Sequence, residues 1–359
     1  MSPRDYLYNL VTDKINGPLA ILLKGFLFLL SFLYALVVRV LILFRGLSCC
    51  RLSAKVISVG NITLGGTGKT TLVQLIAEDL KSRGRNLAIL TRGYKRSIGH
   101  SHACLAKDLA MGDEPLMLQK NLGNIPVIVD SNRIRSAKKA IKDFKVDMLV
   151  LDDGFQQWGI KKDLDVVTID ATNPFGNKHL LPRGILREPL SSLRRADIFV
   201  LTKVNLAKGV QDIKTLLLKI NPKALIVESE HVPQYFYELA HQEKTISLEA
   251  FQGKNAVLFS GIGDPDSFEK MISNLGIKVG FSFEFADHHN YSQQDLESIF
   301  RQAKEKGAEI LITTEKDASR LYELGITNYE LRIYILRITI KITSGIDKFY
   351  ERIHKLYTF

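Results

Sequence analysis

From Lys55 onward short apolar runs alternate with stretches of helical periodicity. The runs are KVISV (Lys55–Val59), LAIL (Leu87–Leu90), PVIV (Pro126–Val129), DMLVL (Asp147–Leu151), DVVTI (Asp165–Ile169), DIFVL (Asp197–Leu201) and ALIV (Ala224–Val227). Strands this short, separated by helices and mostly followed by polar, glycine-bearing loops, predict a mostly parallel α/β sheet. In such sheets ligands bind at the carboxyl ends of the strands, so the residues directly after each run are the ones to read. A polar stretch around Gln234–Thr245 breaks the rhythm. Beyond it AVLFS, VGFSFEF and EILIT alternate with two helical stretches, which predicts a second, smaller α/β unit. The alternating run LRIYILRITIKI, Leu331–Ile342, reads as a β-strand closing the linker region. The organisation expected is an N-terminal anchor segment (1–46), a phosphate-loop domain (47–245) and a smaller C-terminal α/β domain with a terminal β segment (246–359).

The N-terminal pattern differs in kind. From Pro18 to Phe44 only Lys24 and Arg39 interrupt the apolar sequence, and the uncharged piece Gly25–Val38 has 14 residues. That is short of the roughly 20 a spanning helix needs, but both basic side chains are placed to snorkel to a headgroup layer. The segment fits either a bilayer span or a deeply embedded interfacial helix. Arg39, Arg45, Arg51 and Lys55 flank its C-terminal side, which puts the rest of the chain in the cytoplasm. The GLSC sequence before Cys50 resembles a lipoprotein cleavage box only superficially, because Cys49 stands where a small residue is required.

The stretch GNITLGGTGKTTLVQLIAEDL, Gly60–Leu80, follows the first strand and opens an amphipathic helix from about Lys69. The strict spacing G-x-x-x-x-G-K-[ST] fails, since Thr63 occupies the first glycine position. Gly65, Gly66 and Gly68, followed by Lys69, Thr70 and Thr71 between a strand and a helix, nevertheless make the context of a phosphate-binding loop. Glycines let backbone N–H groups turn around phosphate oxygens, with a helix N-terminus behind them. Lys69 would reach the terminal phosphates, and the Thr70 hydroxyl would ligate Mg²⁺.

Other strand ends carry further chemistry. Asp152 and Asp153 follow DMLVL directly, as in a Walker B strand whose carboxylate holds Mg²⁺. GDEP offers Asp113 and Glu114 at a turn where Pro115 can start a helix; alone it reads as a helix start. TRGYKR puts Arg92 and Lys95 after the second strand. The long loop Asn173–Asp197 carries Arg183, Arg187, Arg194 and Arg195, and loops of this length in compact domains are usually functional. FADHHNY gives Asp287, His288 and His289, an orienting pair for proton transfer rather than a metal set. LTKVN, Leu201–Asn205, is distantly similar to nucleotide-base loops.

Composition narrows the partners. The formal charge of +11 calls for an acidic partner: nucleotide, nucleic acid or an anionic membrane surface. Three cysteines, two of them adjacent, give neither a disulfide framework nor metal-ligand spacing.

Several motifs, in order, resemble one family, the tetraacyldisaccharide 4′-kinases of lipid A biosynthesis. They are GNITLGGTGKT, TRGY, GDEP, DDGFQ, NPFGN…LLPRGILREPLSSL, FSGIGDPDSF, FADHHNY and TTEKDASRL, spanning roughly Val56 to Leu321. The resemblance implies a P-loop NTPase-type, mostly parallel α/β sheet with a second, smaller α/β domain and an N-terminal hydrophobic membrane helix. It implies a monomer at the cytoplasmic face of the bacterial inner membrane that moves the γ-phosphate of ATP, with Mg²⁺, to the 4′-hydroxyl of a tetraacylated glucosamine disaccharide 1-phosphate. By position, Thr63, Leu64, Gly65, Gly66, Thr67, Gly68, Lys69 and Thr70 would bind ATP. Asp152, Asp153, Gln156 and Glu188 would form the metal and catalytic cluster together with Thr70. Asp113, assisted by His288, would activate the sugar hydroxyl, and Arg92, Tyr94, Arg183 and Arg187 would meet the substrate. Two departures stand out: Gln157 replaces an expected histidine, and the segment past Glu323 is only loosely similar.

Two other classes fit less well. A membrane-associated ATPase switch of the deviant Walker A type carries a lysine just before the glycines, where this chain has Leu64. A nucleic-acid ATPase would account for the charge but not the anchor, and no basic–aromatic motif is present; no nucleic-acid partner is expected.

Overall fold

The structure, a computed structural model, describes residues 6, 9–92, 104–105, 112–322, 324 and 331–358. Helix α1 (Pro18–Leu47) precedes one continuous sheet. The strands of its first half are β1 (Lys55–Gly60), β2 (Leu87–Thr91), β3 (Cys104–Leu105), β4 (Val127–Val129), β5 (Met148–Asp152), β6 (Leu164–Asp170) and β7 (Ile198–Thr202). The long β8 (Leu225–Glu238) follows, with β9 (His241–Ile246), β10 (Asn255–Ser260), β11 (Lys278–Glu284), β12 (Ile310–Thr314) and β13 (Ile333–Ser344). Their spatial order is β11-β10-β12-β13-β8-β7-β6-β1-β5-β2-β4-β3, with β9 on β8. The expected runs therefore all form strands. They pair in parallel from β4 through β2, β5, β1, β6 and β7 to β8, and again from β11 through β10 and β12 to β13.

The helices cover both faces, so each central strand is apolar on both sides. On one face, α2 (Lys69–Ser82) and α3 (Asp113–Leu122) pack Leu72, Ile76, Leu118 and Leu122 over Ile57 and Val59. On the other, α4 (Arg133–Phe144) sets Ala137 and Ala140 over Val56, Leu90 and Leu149. Helix α5 (Val210–Ile220) covers Val167, Ile169, Phe199 and Leu201. In the second unit α6 (Pro265–Asn274) lies on one face, and α7 (Gln293–Glu305) and α8 (Glu315–Tyr322) on the other.

The polar stretch Gln234–Thr245 departs from the expected break. Residues 234–238 extend β8, and 241–246 turn back as β9. β9 is the outer strand and its side chains are mostly exposed, so hydropathy hides it, while Phe236 and Tyr237 of β8 are buried between β13 and β9. β8 pairs with β7 through Leu225–Glu228, then runs antiparallel to β13 from Glu228 to Glu238. This two-stranded ribbon carries the chain between the units. Helix α9 (Ile346–His354) lies within the 246–359 span, yet Phe349 and Ile353 are buried in the phosphate-loop core, where His354 meets Asp79 at 2.9 Å.

Candidate active site

β1 delivers the chain to the phosphate loop. Asn61 is buried and donates to the Thr63 carbonyl, while the Leu64 amide donates to Ile185 O at 2.8 Å, which stitches the loop's outer edge to the long loop of residues 173–197. The inner edge is held by hydroxyls. Thr67 Oγ1 lies 2.8 Å from Thr168 Oγ1, and Thr202 Oγ1 donates to Thr67 O at 3.2 Å. Gly68 takes a left-handed backbone (φ 79°), and a Cβ there would sit 2.7 Å from His231 Nε2, so no side chain fits. Gly65 and Gly66 open onto free space, where an added Cβ would meet nothing within 4 Å. Lys69 and Thr70 begin α2 directly behind this cradle. A closed base at Gly68, open glycines and an uncapped helix start form a receptor for anionic oxygens.

Asp152 and Asp153 end β5 opposite the cradle, in unlike surroundings. Asp152 is 3% exposed, and one of its oxygens has no hydrogen-bond partner. Burial, then the nearby charges of Glu114 and Asp153, push its pKa up to about 7. Asp153 is left-handed (φ 54°) and faces Arg187, whose Nη1 and Nη2 donate to its two oxygens at 2.7 and 2.8 Å; Lys69 Nζ lies 3.9 Å away. Burial opposes ionisation here too, but Arg187 and Lys69 hold this carboxyl down at about 2. Behind Asp152, Arg133 donates to the Asp152 and Asp130 carbonyls, and burial lowers it to about 10. Glu188, fully buried, takes hydrogen bonds from Arg195, Gln156 (3.0 Å) and Trp158 (3.3 Å), and Gln156 also donates to Asn61 O.

The opposite wall comes from the second unit. A Cβ on Gly263 would lie 3.7 Å from the Gly66 nitrogen and 3.6 Å from Asp287 Oδ2, so the loop after β10 lies directly over the phosphate loop. His288 is left-handed (φ 60°), and its amide donates to Gly261 O. Arg320 Nη2 sits 3.4 Å from His288 Nδ1; because a guanidinium only donates, Nδ1 accepts and the neutral ring carries its proton on Nε2, 4.0 Å from Asp287. His289 points elsewhere, bonded to Asp295 at 3.1 Å and stacked on Phe285 at 4.5 Å. Beneath them Asp317, fully buried, accepts from the Gly261 amide, Tyr291 and Arg320.

Among the described residues, ion pairs fasten this wall to the first. Lys316 of α8 meets Glu114 of α3 at 2.7 Å, and Lys203, at the end of β7, meets Asp170 (2.6 Å) and Asp264. Lys316, with lesser contributions from Lys69 and His288, holds the Glu114 carboxyl below its usual range.

A family profile described as Tetraacyldisaccharide-1-P 4′-kinase matches residues 23–357. The chain belongs to this family. A tetraacyldisaccharide 4′-kinase of Halothermothrix orenii is 35% identical over 95% of both chains, and one of Elusimicrobium minutum is 36% identical over 85% of this chain and 84% of its own. A crystal structure of LpxK from Aquifex aeolicus in complex with ATP aligns with a TM-score of 0.73 and 26% identity, over 94% of this chain and all of that one. The kinase family thus accounts for the whole architecture, from the apolar helix to the second unit.

Of the site residues read from the sequence, Lys69, Thr70, Asp152, Asp153 and Arg187 converge at the cradle, and His288, in the second unit, is close enough to Glu114 to act on its charge. Beside the cradle Glu188 accepts from both Gln156 and Arg195. Arg183 lies away from it, paired with Asp13 at 2.8 Å, and Arg92 is exposed after β2. Asp113 opens α3; its side chain, Tyr94 and Lys95 lie outside the described residues. The sequence reading assigned no role to Asn61, Arg133, His231, Lys316 or Arg320. Lys316 and Arg320 stand in TTEKDASRL, a quoted motif, but their partners are distant in sequence. The LTKVN lysine, Lys203, is a buried bridge between the units.

Proposed function

We propose that this chain transfers the γ-phosphate of ATP to the 4′-hydroxyl of a tetraacylated glucosamine disaccharide 1-phosphate, the reaction for which its family is named. The observation that carries the reading is the pairing of the open Gly65–Thr70 cradle with an uncommitted, buried Asp152 oxygen across from it. That donor set fits Mg²⁺, which prefers few protein oxygens beside phosphate. Thr70 and Asp152 would hold the ion, with Asp153 beside them, and it would neutralise charge on the phosphate oxygens. Lys69 supplies a cation to the transferring group. Arg187 keeps Asp153 ionised and aimed at the cradle. Glu188, bonded to Arg195, Gln156 and Trp158, braces the long loop, and Gln156 keeps a buried Oε1 without a partner beside it. The 4′-hydroxyl gives its proton to Asp113, with His288 Nε2–H orienting the acceptor side from the second unit.

The surface of α1 supports membrane attachment. Ala20, Ser31 and Val38 face the protein, while Leu19, Leu22, Phe26, Leu29 and Phe32 are exposed, a surface unsuited to water. A helix docked on the globular part along one stripe suits an embedded position at the cytoplasmic face of the inner membrane. The net positive charge suits both an anionic bilayer and a phosphorylated lipid. The test is label transfer from γ-labelled ATP with purified acyl-disaccharide. Label in lipid supports the reading. Label only in inorganic phosphate points to an ATPase switch, and release dependent on nucleic acid points to the third class.

A further inference from the structure

Helix α1 is apolar almost throughout, yet two of its polar side chains, Ser31 and Tyr34, stand one turn apart on the docked stripe. Both are spent on the long loop. The Ser31 hydroxyl donates between Leu27 O (2.9 Å) and Leu180 O (2.8 Å) and accepts from the Arg183 amide at 2.9 Å. Tyr34 Oη donates to Arg187 O at 2.9 Å. Phe28 packs edge-on against His179, with ring centroids 5.6 Å apart. A helix needed only as an anchor has no use for hydroxyls at these positions; in an apolar setting each is costly unless bonded.

The bonded loop leads to the reacting centre. The Arg187 amide donates to Ile62 O at 2.7 Å, and the Arg187 side chain grips both oxygens of Asp153 and Asn61 Oδ1 at 3.0 Å. Arg187 is therefore fixed on three sides: its backbone by α1 and by Ile62 in the segment between β1 and the glycines, its guanidinium by Asp153. We propose that Tyr34, supported by Ser31, is a positioning residue for phosphoryl transfer, holding the Arg187 backbone so that its guanidinium keeps Asp153 in register with Lys69. The helix is then a structural part of the active site as well as a membrane contact. A displacement of about 1 Å in such a clamp is enough to cost rate strongly.

The inference rests on the kinase reading for its catalytic arm but has an independent structural arm. Deleting residues 1–46 removes anchor and clamp together, so point variants are needed. The full chain in detergent micelles, with lipid and ATP saturating, is compared as wild type, Tyr34→Phe, Ser31→Ala, Arg187→Ala and Tyr34→Phe/Arg187→Ala, alongside deuterium uptake at residues 180–188. The expected result for Tyr34→Phe is faster deuterium uptake in that segment, unchanged sedimentation with vesicles in a separate detergent-free assay, and a roughly tenfold lower kcat with a KM for ATP changed less. In the Arg187→Ala background it should cost almost nothing more, because groups acting as one unit are not additive. Unchanged kcat, unchanged uptake, or an equal loss in both backgrounds overturns the proposal. Failure of the wild type to label lipid overturns the kinase reading instead, and the uptake comparison still judges the clamp.

Discussion

The two walls of the site are built by different means. The phosphate-loop wall is held by main chain: β1 lies between β5 and β6, Leu64 bonds Ile185 O, and Thr67 is tied to β6 and β7 by hydroxyls. The second-unit wall reaches it through side-chain ion pairs, Lys316–Glu114 and Lys203–Asp264, and through a two-stranded ribbon. Backbone pairing in a buried sheet preorganises a receptor before substrate arrives. Ion pairs at a part-open seam can part and re-form, which suits a wall that must admit a lipid headgroup and then exclude water.

The sharpest way to break this comparison is Lys69→Ala. If the first wall is the preformed phosphate receptor, transfer falls by roughly 10³–10⁵, as for other lost cations on a transferring phosphoryl group, while circular dichroism and thermal midpoint stay near wild type. Near-normal turnover would remove the cradle from the mechanism.

Next comes His288→Ala, expected to lower kcat by roughly 10²–10⁴ with little change in ATP affinity. His289→Ala should instead lower the thermal midpoint and spare kcat, because its ring is committed to Asp295 and Phe285. Asp113→Asn should match His288→Ala, and the double variant should be little worse than either. A kcat defect confined to His289→Ala would reverse the assignment.

Asp152→Asn tests the electrostatics of the first wall. The folded pKa of Asp152, about 7, lies above the ordinary 3.8, so the folded state favours the protonated form. That contribution is present in acid and is lost as pH rises from about 4 through 7, by up to roughly 4 kcal/mol. Nucleotide-free Asp152→Asn should therefore gain thermal stability over wild type, and the gap should widen from pH 5 to pH 8, while transfer is lost. A gap independent of pH would show that the carboxylate is not held protonated.

The smallest effect concerns the seam. Glu114→Gln leaves Lys316 without its anionic partner and should lower kcat/KM for lipid roughly tenfold, an amount in keeping with a partly exposed ion pair close to the reacting groups. Raising salt should weaken wild-type kcat/KM more than that of the variant. Equal salt dependence in both would mean that this pair plays no part in joining the walls.

The sequence by itself determined the strands, the order of the motifs and the chemistry of the first wall. KVISV, DMLVL and DVVTI are buried on both faces and read as strands without ambiguity, and glycine spacing next to a helix start is a local signal. The polar stretch Gln234–Thr245 was less legible, because β9 is an outer strand whose side chains are mostly exposed, and Tyr94 and the Asp113 side chain lie outside the described residues. Only the tertiary structure decided which of Asp152 and Asp153 keeps a free oxygen, that His289 is committed to Asp295 while His288 meets Arg320, that Lys316 finds Glu114 and that Tyr34 bonds the Arg187 carbonyl. The physical reason is one of range. Strand and loop formation depend on neighbours within a few residues, whereas the protonation of a buried carboxylate or the aim of a guanidinium depends on charges and donors brought together from 30 to 200 positions away, and hydropathy along the chain carries no record of them.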